Sequence, residues 1–220
     1  MTLRHILALP LFALSATAAL AQEDLTCRNG LFPAEPPFAL AKVRGEERAF
    51  FHQDMDGCPW SGTACRDNSY VVPGDTVIVG KVRKGFACAF YPSKGGGTAG
   101  WVPTRQLSLQ FVETMPAPAD WVGTWSSEGN PLIKIEKRLG SLHATGEAFW
   151  PGRPGTHDYP SIHVGEIDGA VAVTGHKGRY EDDNLCEIDF TLLGPYLLAS
   201  SNRNCGGANV MFTGVFQRER

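Results

Sequence analysis

The chain has 220 residues and a formal net charge of −3, and its 43% hydrophobic content is enough to support a folded core. That slightly acidic balance lacks the basic footprint a nucleic-acid binder needs. Among the remaining classes, the first 21 residues point to an exported protein. Arg4 and His5 precede an apolar run from Ile6 to Leu20, and Ala19-Leu20-Ala21 places small residues before polar Gln22-Glu23-Asp24. This is the pattern of a secretory signal peptide. The run is shorter than the roughly 20 residues a membrane span needs, and no later stretch is apolar enough to be one. The expected mature chain starts at Gln22. It loses Arg4 and no acidic residue, which takes its formal charge to −4. A periplasmic or secreted location follows.

All six cysteines, Cys27, Cys58, Cys65, Cys88, Cys186 and Cys205, lie beyond residue 21. An even count behind a signal peptide argues for disulfides. No C-x-x-C and no zinc-type Cys/His spacing occurs, so neither a metal nor another cofactor is expected.

Residues 22–37 are polar and proline-rich and form an irregular lead-in around Cys27. From Phe38 to Leu109 the signals are short strands between turns. Ala49-Phe50-Phe51 opens one, and Asp54 to Asn68 is a long polar loop with Cys58 and Cys65. Val71-Val72-Pro73-Gly74-Asp75 is a turn ahead of a strand from Thr76 to Val82. Phe86 to Tyr91 is a strand with Phe86, Cys88 and Phe90 on one face. Ser93 to Gly97 is a glycine-rich turn, and Gly100-Trp101-Val102-Pro103 closes the unit. Residues 113–120 (with Met115-Pro116-Ala117-Pro118-Ala119) are a linker that cannot pair into a sheet. It is short, so the two domains it joins, 22–112 and 121–220, should touch.

The second domain opens with Trp121-Val122-Gly123-Thr124-Trp125. Strands are expected at Leu132–Ile135 and Leu142–Trp150. Ile162–Glu166 and Val171–Thr174 read as a hairpin around Asp168-Gly169, a favoured turn pair. Gly175 to Asn184 reads as a charged loop. In the closing stretch, Ile188, Phe190 and Leu192 alternate with Glu187, Asp189 and Thr191, which gives a strand buried on one face. Tyr196–Ala199 and Asn209–Phe216 complete it, with Val210, Phe212 and Phe216 inward. The fold class is therefore all-β: a small barrel, then an antiparallel barrel or sandwich of about seven or eight strands. The first and last strands of the second domain should lie side by side.

The order V-P-G-D, strand, G-F-A-C strand, glycine-rich turn and G-W-V-P resembles bacterial SH3-like domains over roughly residues 40–110. The A-L-Y-D-Y motif of peptide-binding SH3 domains is absent, and Phe86 stands where such domains often carry a groove tryptophan. On this resemblance Trp101, Phe86 and Tyr91 either pack the core and rim or form an aromatic groove for a glycan or peptide stem. The W-x-G-x-W opening also resembles the G-x-W signature of lipocalins. Asp120-Trp121-Val122-Gly123-Thr124-Trp125 and Cys205-Gly206-Gly207-Ala208-Asn209-Val210-Met211-Phe212-Thr213-Gly214 together resemble a group of uncharacterised secreted bacterial proteins. Those pair an SH3-like module with a C-G-G-x-N-V-type β-domain. Small periplasmic lysozyme inhibitors share only the exported, disulfide-bonded β-domain.

Cys186 and Cys205 are the two cysteines of the second domain and should pair. Cys58 and Cys65 can staple their loop, leaving Cys27 for Cys88, one of three connectivities that four cysteines allow. Pairing removes the free thiol that a nucleophilic Cys205 would need. Gly206 and Gly207 suit a turn, and Asn209 with the loop amides could make a polar recognition corner beside Trp125. His143, Glu147, His157, Asp158, His163 and His176 have no diagnostic ligand spacing. No G-x-S-x-G, Ser/His/Asp pattern or phosphate loop is present. The reading is a non-catalytic exported protein that binds cell-wall material, such as peptidoglycan, or an envelope protein. One alternative is an inhibitor of a secreted enzyme such as lysozyme, acting through a protruding loop at His176–Asn184. Another is an enzyme with its site between the domains.

Overall fold

The computed structural model describes residues 26–93, 96–127, 131–152 and 162–219. The expected signal peptide lies outside them. Seven strands form the first sheet: β1 (Ala39–Val43), β2 (Ala49–His52), β3 (Arg66–Val71), β4 (Thr76–Arg83), β5 (Phe86–Tyr91), β6 (Thr98–Pro103) and β7 (Leu107–Gln110). Their spatial order is β3-β2-β6-β5-β4-β1-β7. The period-two pattern of β4 and β5 sends side chains to two different cores. Val77, Val79, Ala87 and Ala89 join Val43, Phe51 and Val102 in the core of the sheet itself. Ile78, Cys88 and Phe90 face the other way, into the junction with the second half of the chain.

The second half is a closed barrel of β8 (Gly123–Ser126), β9 (Leu132–Arg138), β10 (Ser141–Pro151), β11 (Ile162–Thr174), β12 (Lys177–Glu181), β13 (Glu187–Leu193), β14 (Tyr196–Ser201) and β15 (Gly214–Arg218). The protein is all-β, and the choice between barrel and sandwich falls to the barrel. First and last strands do lie together, with Gln217 opposite Ser126 and Arg218 opposite Trp125. Trp121, Trp125, Ile133, Ile135, Ile188, Phe190, Phe212 and Phe216 fill the interior.

Several elements differ from the sequence reading. Asp168-Gly169 is not a turn; β11 runs unbroken for 13 residues, with Gly169 opposite Ala144. Gly169 serves close packing there, as a Cβ on it would meet the Tyr180 ring at 2.9 Å. The supposed charged loop at 175–184 contains β12, whose inward residues Gly178 and Tyr180 are buried while Lys177 and Glu181 face out. His176–Asn184 is therefore no protruding loop. β3 begins at Arg66, inside the expected loop. The last strand starts only at Gly214, although Val210 and Phe212 are buried as expected. The linker holds a single helical turn, α1 (Pro118–Trp121), whose Asp120 carboxylate accepts the Ala117 amide at 2.8 Å.

All three disulfides form: Cys27–Cys88, Cys58–Cys65 and Cys186–Cys205. They fit an oxidising, extracytoplasmic environment. No helix among the described residues is long and apolar enough to cross a membrane.

The two halves share an apolar junction. Phe32, from the 3-10 turn η1 (Phe32–Ala34), packs with Leu40, Ile78, Phe90 and Trp101 against Leu193 and Leu198 of the barrel. Leu193 and Leu198 point out of the barrel, and they are buried because the first sheet covers them. Beside them, Lys177 Nζ donates to Thr191 Oγ1 at 2.9 Å and lies 5.9 Å from the Phe38 ring centre. Burial holds this ammonium below its usual range against the opposing pull of Asp189.

Candidate binding groove

A groove of about 270 Å³ opens on the first sheet. Strand alternation creates its floor. Ala49 and Phe51 of β2 point into the core, so Phe50 and His52 point out. Phe86 begins β5 opposite Pro103 of β6. The His52 ring meets Phe86 edge-on, with centres 5.2 Å apart.

One wall is the loop stapled by Cys58–Cys65, which contributes Pro59, Trp60, Gly62 and Thr63. The loop is pinned at its start. The Asp54 carboxylate accepts the Cys27 amide at 3.0 Å and the Arg28 guanidinium at 3.0 Å. Burial works to raise the Asp54 carboxyl, but the Arg28 and Cys27 hydrogen bonds outweigh it and hold it below the usual carboxylate range. The other wall joins the β1–β2 turn (Glu47, Arg48) to the 3-10 turn η3 (Thr104–Gln106). Arg44 Nε donates to the Arg105 carbonyl at 2.9 Å, and Thr104 N donates to the Gly85 carbonyl at 2.8 Å. Both walls are therefore tied to the sheet.

Cations sit on aromatic faces around the groove. Arg66 lies 4.3 Å over the Phe50 ring, Arg48 lies 4.3 Å over Tyr70, and Lys84 Nζ lies 4.6 Å over Trp60. Such stacking holds a guanidinium in place without neutralising it. Three arginines (Arg48, Arg66, Arg105) line the groove against one carboxylate, Glu47. Among the described residues none of the three is in an ion pair. Trp60 Nε1 is buried and has no hydrogen-bond partner, the one such side-chain atom among the described residues. A buried donor left unpaired costs roughly 1–3 kcal/mol, so it is rarely retained without reason.

The imidazole of His52 senses the same field. Its Nδ1 lies 3.1 Å from the Phe50 carbonyl and 3.3 Å from the Trp101 carbonyl. Two acceptors at one nitrogen place the proton there. Burial holds the ring below its ordinary value, and the charges of Arg66 and Arg105 add to that against the raising pull of the carbonyls. His52 is thus neutral at pH 7. The arrangement offers apolar faces and three uncompensated guanidinium groups, which together suit an extended ligand bearing carboxylates.

Of the residues singled out in the sequence, Phe86 lines this groove. Trp101 is fully buried in the junction core, and its carbonyl lies 3.3 Å from His52 Nδ1. Trp125 is fully buried in the barrel, where its Nε1 donates to the Trp121 carbonyl at 3.0 Å. Neither indole offers contact area to a ligand. Tyr91 is half-buried against the first core. Asn209, at φ 66°, sits in the Gly206-Gly207 turn on the rim of a separate depression of about 290 Å³. The structure does not bring Trp125 and Asn209 into one corner; the turn packs instead on β11, with Gly207 N donating to the Val164 carbonyl at 3.0 Å. His143 bonds Asp168, and His176 Nδ1 approaches the Thr114 carbonyl. His157 and Asp158 lie outside the described residues.

Sequence reasoning missed Trp60, His52, Phe50 and the three arginines. The available signal was Cys58-Pro59-Trp60, a tryptophan inside a loop short enough to be stapled. Comparison with protein families, characterised proteins and solved structures found no match to the chain.

Proposed function

We propose that this is a non-catalytic exported binding protein whose groove takes an extended, carboxylate-bearing ligand, the peptide stem of cell-wall peptidoglycan. The observation that carries the reading is the uncompensated charge of Arg48, Arg66 and Arg105 lining one groove. Free carboxylates along a peptide stem would pair with the guanidinium groups. The aromatic floor of Phe50 and Phe86 supplies sequence-tolerant contact area. The SH3-like resemblance, which sets Phe86 at a groove position, supports the same reading. So does the presence of a single lining carboxylate, since general acid–base hydrolysis of a glycan needs two.

The test is co-sedimentation with purified peptidoglycan sacculi, followed by calorimetric titration with soluble stem peptides and their amidated forms. Binding to sacculi at micromolar protein is expected, with amidation of the stem weakening it about tenfold for each charge pair lost. No sedimentation at that concentration, or equal affinity for amidated stems, would sink the cell-wall reading. An acidic protein segment bound more tightly than any stem would redirect it to an envelope protein.

A further inference from the structure

The outer face of the β10–β11 arm is an exposed sheet surface that the groove does not use. β9 leaves β10 after the pairing of Leu132 with Glu147, and β12 joins β11 only from Val171. The arm between those points carries its own outward rows. Phe149 faces Val164, Pro151 faces Ile162, and Glu147 faces Glu166, with Leu132 next in the Glu147 row. Ile162 is 62% exposed, Val164 61%, Phe149 51% and Leu132 43%. Exposed large apolar side chains that adjoin on one sheet face mark an interaction surface.

The charge pattern selects its occupant. Glu147 and Glu166 stand directly opposite one another, an arrangement that destabilises a strand pair. Among the described residues no cation compensates them. Lys134, in the adjoining row, is bound to Glu136 at 2.8 Å, and Arg138 is shared between Glu136 and Asp168. The same face continues into a shallow depression of about 600 Å³ that adds Asp182 and Asp183. A second copy of the chain would bring one carboxylate row toward another, and an anionic membrane surface would be repelled. We infer that this face is a docking surface for a basic protein, one that sets a lysine or arginine over Glu147 and Glu166 and apolar side chains over Leu132, Phe149, Val164 and Ile162. The surface lies on the barrel, away from the groove, so it stands whether or not the groove binds cell wall.

The experiment uses the full mature chain and labelled seven-residue peptides of alternating Lys/Leu and alternating Glu/Leu, read by fluorescence anisotropy. The Lys/Leu peptide is expected to bind, with affinity falling as salt rises, and the Glu/Leu peptide is expected not to bind. E147Q/E166Q should weaken the Lys/Leu peptide about tenfold while the melting temperature holds or rises, because the like-charge pair is gone. I162S/V164S should weaken it as well, and R66Q/R105Q in the groove should leave it unchanged. Unchanged binding by E147Q/E166Q, equal binding of the two peptides, or no binding of either would overturn the proposal. A dimer in sedimentation that I162S/V164S dissolves would overturn it in favour of a second copy.

Discussion

Gly169 lies under the ring of Tyr180, so close that a Cβ would come 2.9 Å from Cε2. The ring cannot step aside. Tyr180 is 1% exposed, and its hydroxyl donates to Asp182 and accepts the Asp168 amide. In an ordinary strand, replacing glycine by alanine removes an entropic penalty and stabilises. Here Gly169→Ala overpacks the barrel wall and is expected to cost about 1–3 kcal/mol, lowering the melting temperature by roughly 2–10 °C. A circular-dichroism melt identical to wild type would show that the close approach is not what glycine serves at this position.

That contact also explains where the sequence was legible. β13 was readable because its inward residues, Ile188, Phe190 and Leu192, carry a strong apolar signal. β12 was not, because Gly178 fills one of its two inward positions and contributes none, leaving Lys177, Arg179 and Glu181 to suggest a loop. Gly178 is nonetheless tightly packed, with a Cβ meeting the Trp121 ring at 3.1 Å. Cys186–Cys205 was legible because its domain holds no other cysteine, whereas the four cysteines of the first domain left three connectivities open. The groove was mostly hidden. Arg48, Arg66 and Arg105 come from separate elements and converge only through the order β3-β2-β6. Trp60 is one aromatic in a polar loop until the staple sets it against the sheet.

The Cys58–Cys65 bridge should matter more to binding than to stability. Its loop separation is 7 residues, against 61 for Cys27–Cys88. In the chain-entropy model these correspond to roughly 2 and 4 kcal/mol. C58A/C65A should therefore lower the melting temperature by less than C27A/C88A. It should weaken stem-peptide binding about tenfold or more, because Trp60 loses its fixed position. Calorimetric titration of both variants decides this; equal affinity in C58A/C65A and wild type would detach the staple from the groove's function.

His52 gives opposite pH signatures for stability and for binding. Its folded-state value lies below the ordinary one of about 6.5, so the unfolded chain takes up the proton first as pH falls. The stability contribution is thus complete above the ordinary value and is lost as pH drops below it. Protonation adds a fourth positive charge to the groove beside Arg48, Arg66 and Arg105, against Glu47 alone. Carboxylate ligands should bind more tightly as pH is lowered from 7 toward 5, while the melting temperature declines. His52→Gln should flatten both slopes relative to wild type. A variant that keeps the wild-type pH dependence of affinity would assign that dependence to other groups.

The apolar junction implies that the two halves unfold together. Leu198 is 1% exposed and faces out of the barrel into the cluster that also holds Phe32 and Ile78. Trimming it leaves a cavity between the halves without touching the interior that Leu197 fills. Leu198→Ala is expected to cost about 2–5 kcal/mol. Because the loss falls at the contact between two sheets that each retain a core, it should also reduce coupling between them. Scanning calorimetry of the wild-type protein should show one transition, and Leu198→Ala should broaden it or split it in two. Leu197→Ala, in the barrel interior, should instead lower the barrel's own stability. Two separate transitions in the wild-type protein would mean that the junction couples the halves less than its burial suggests.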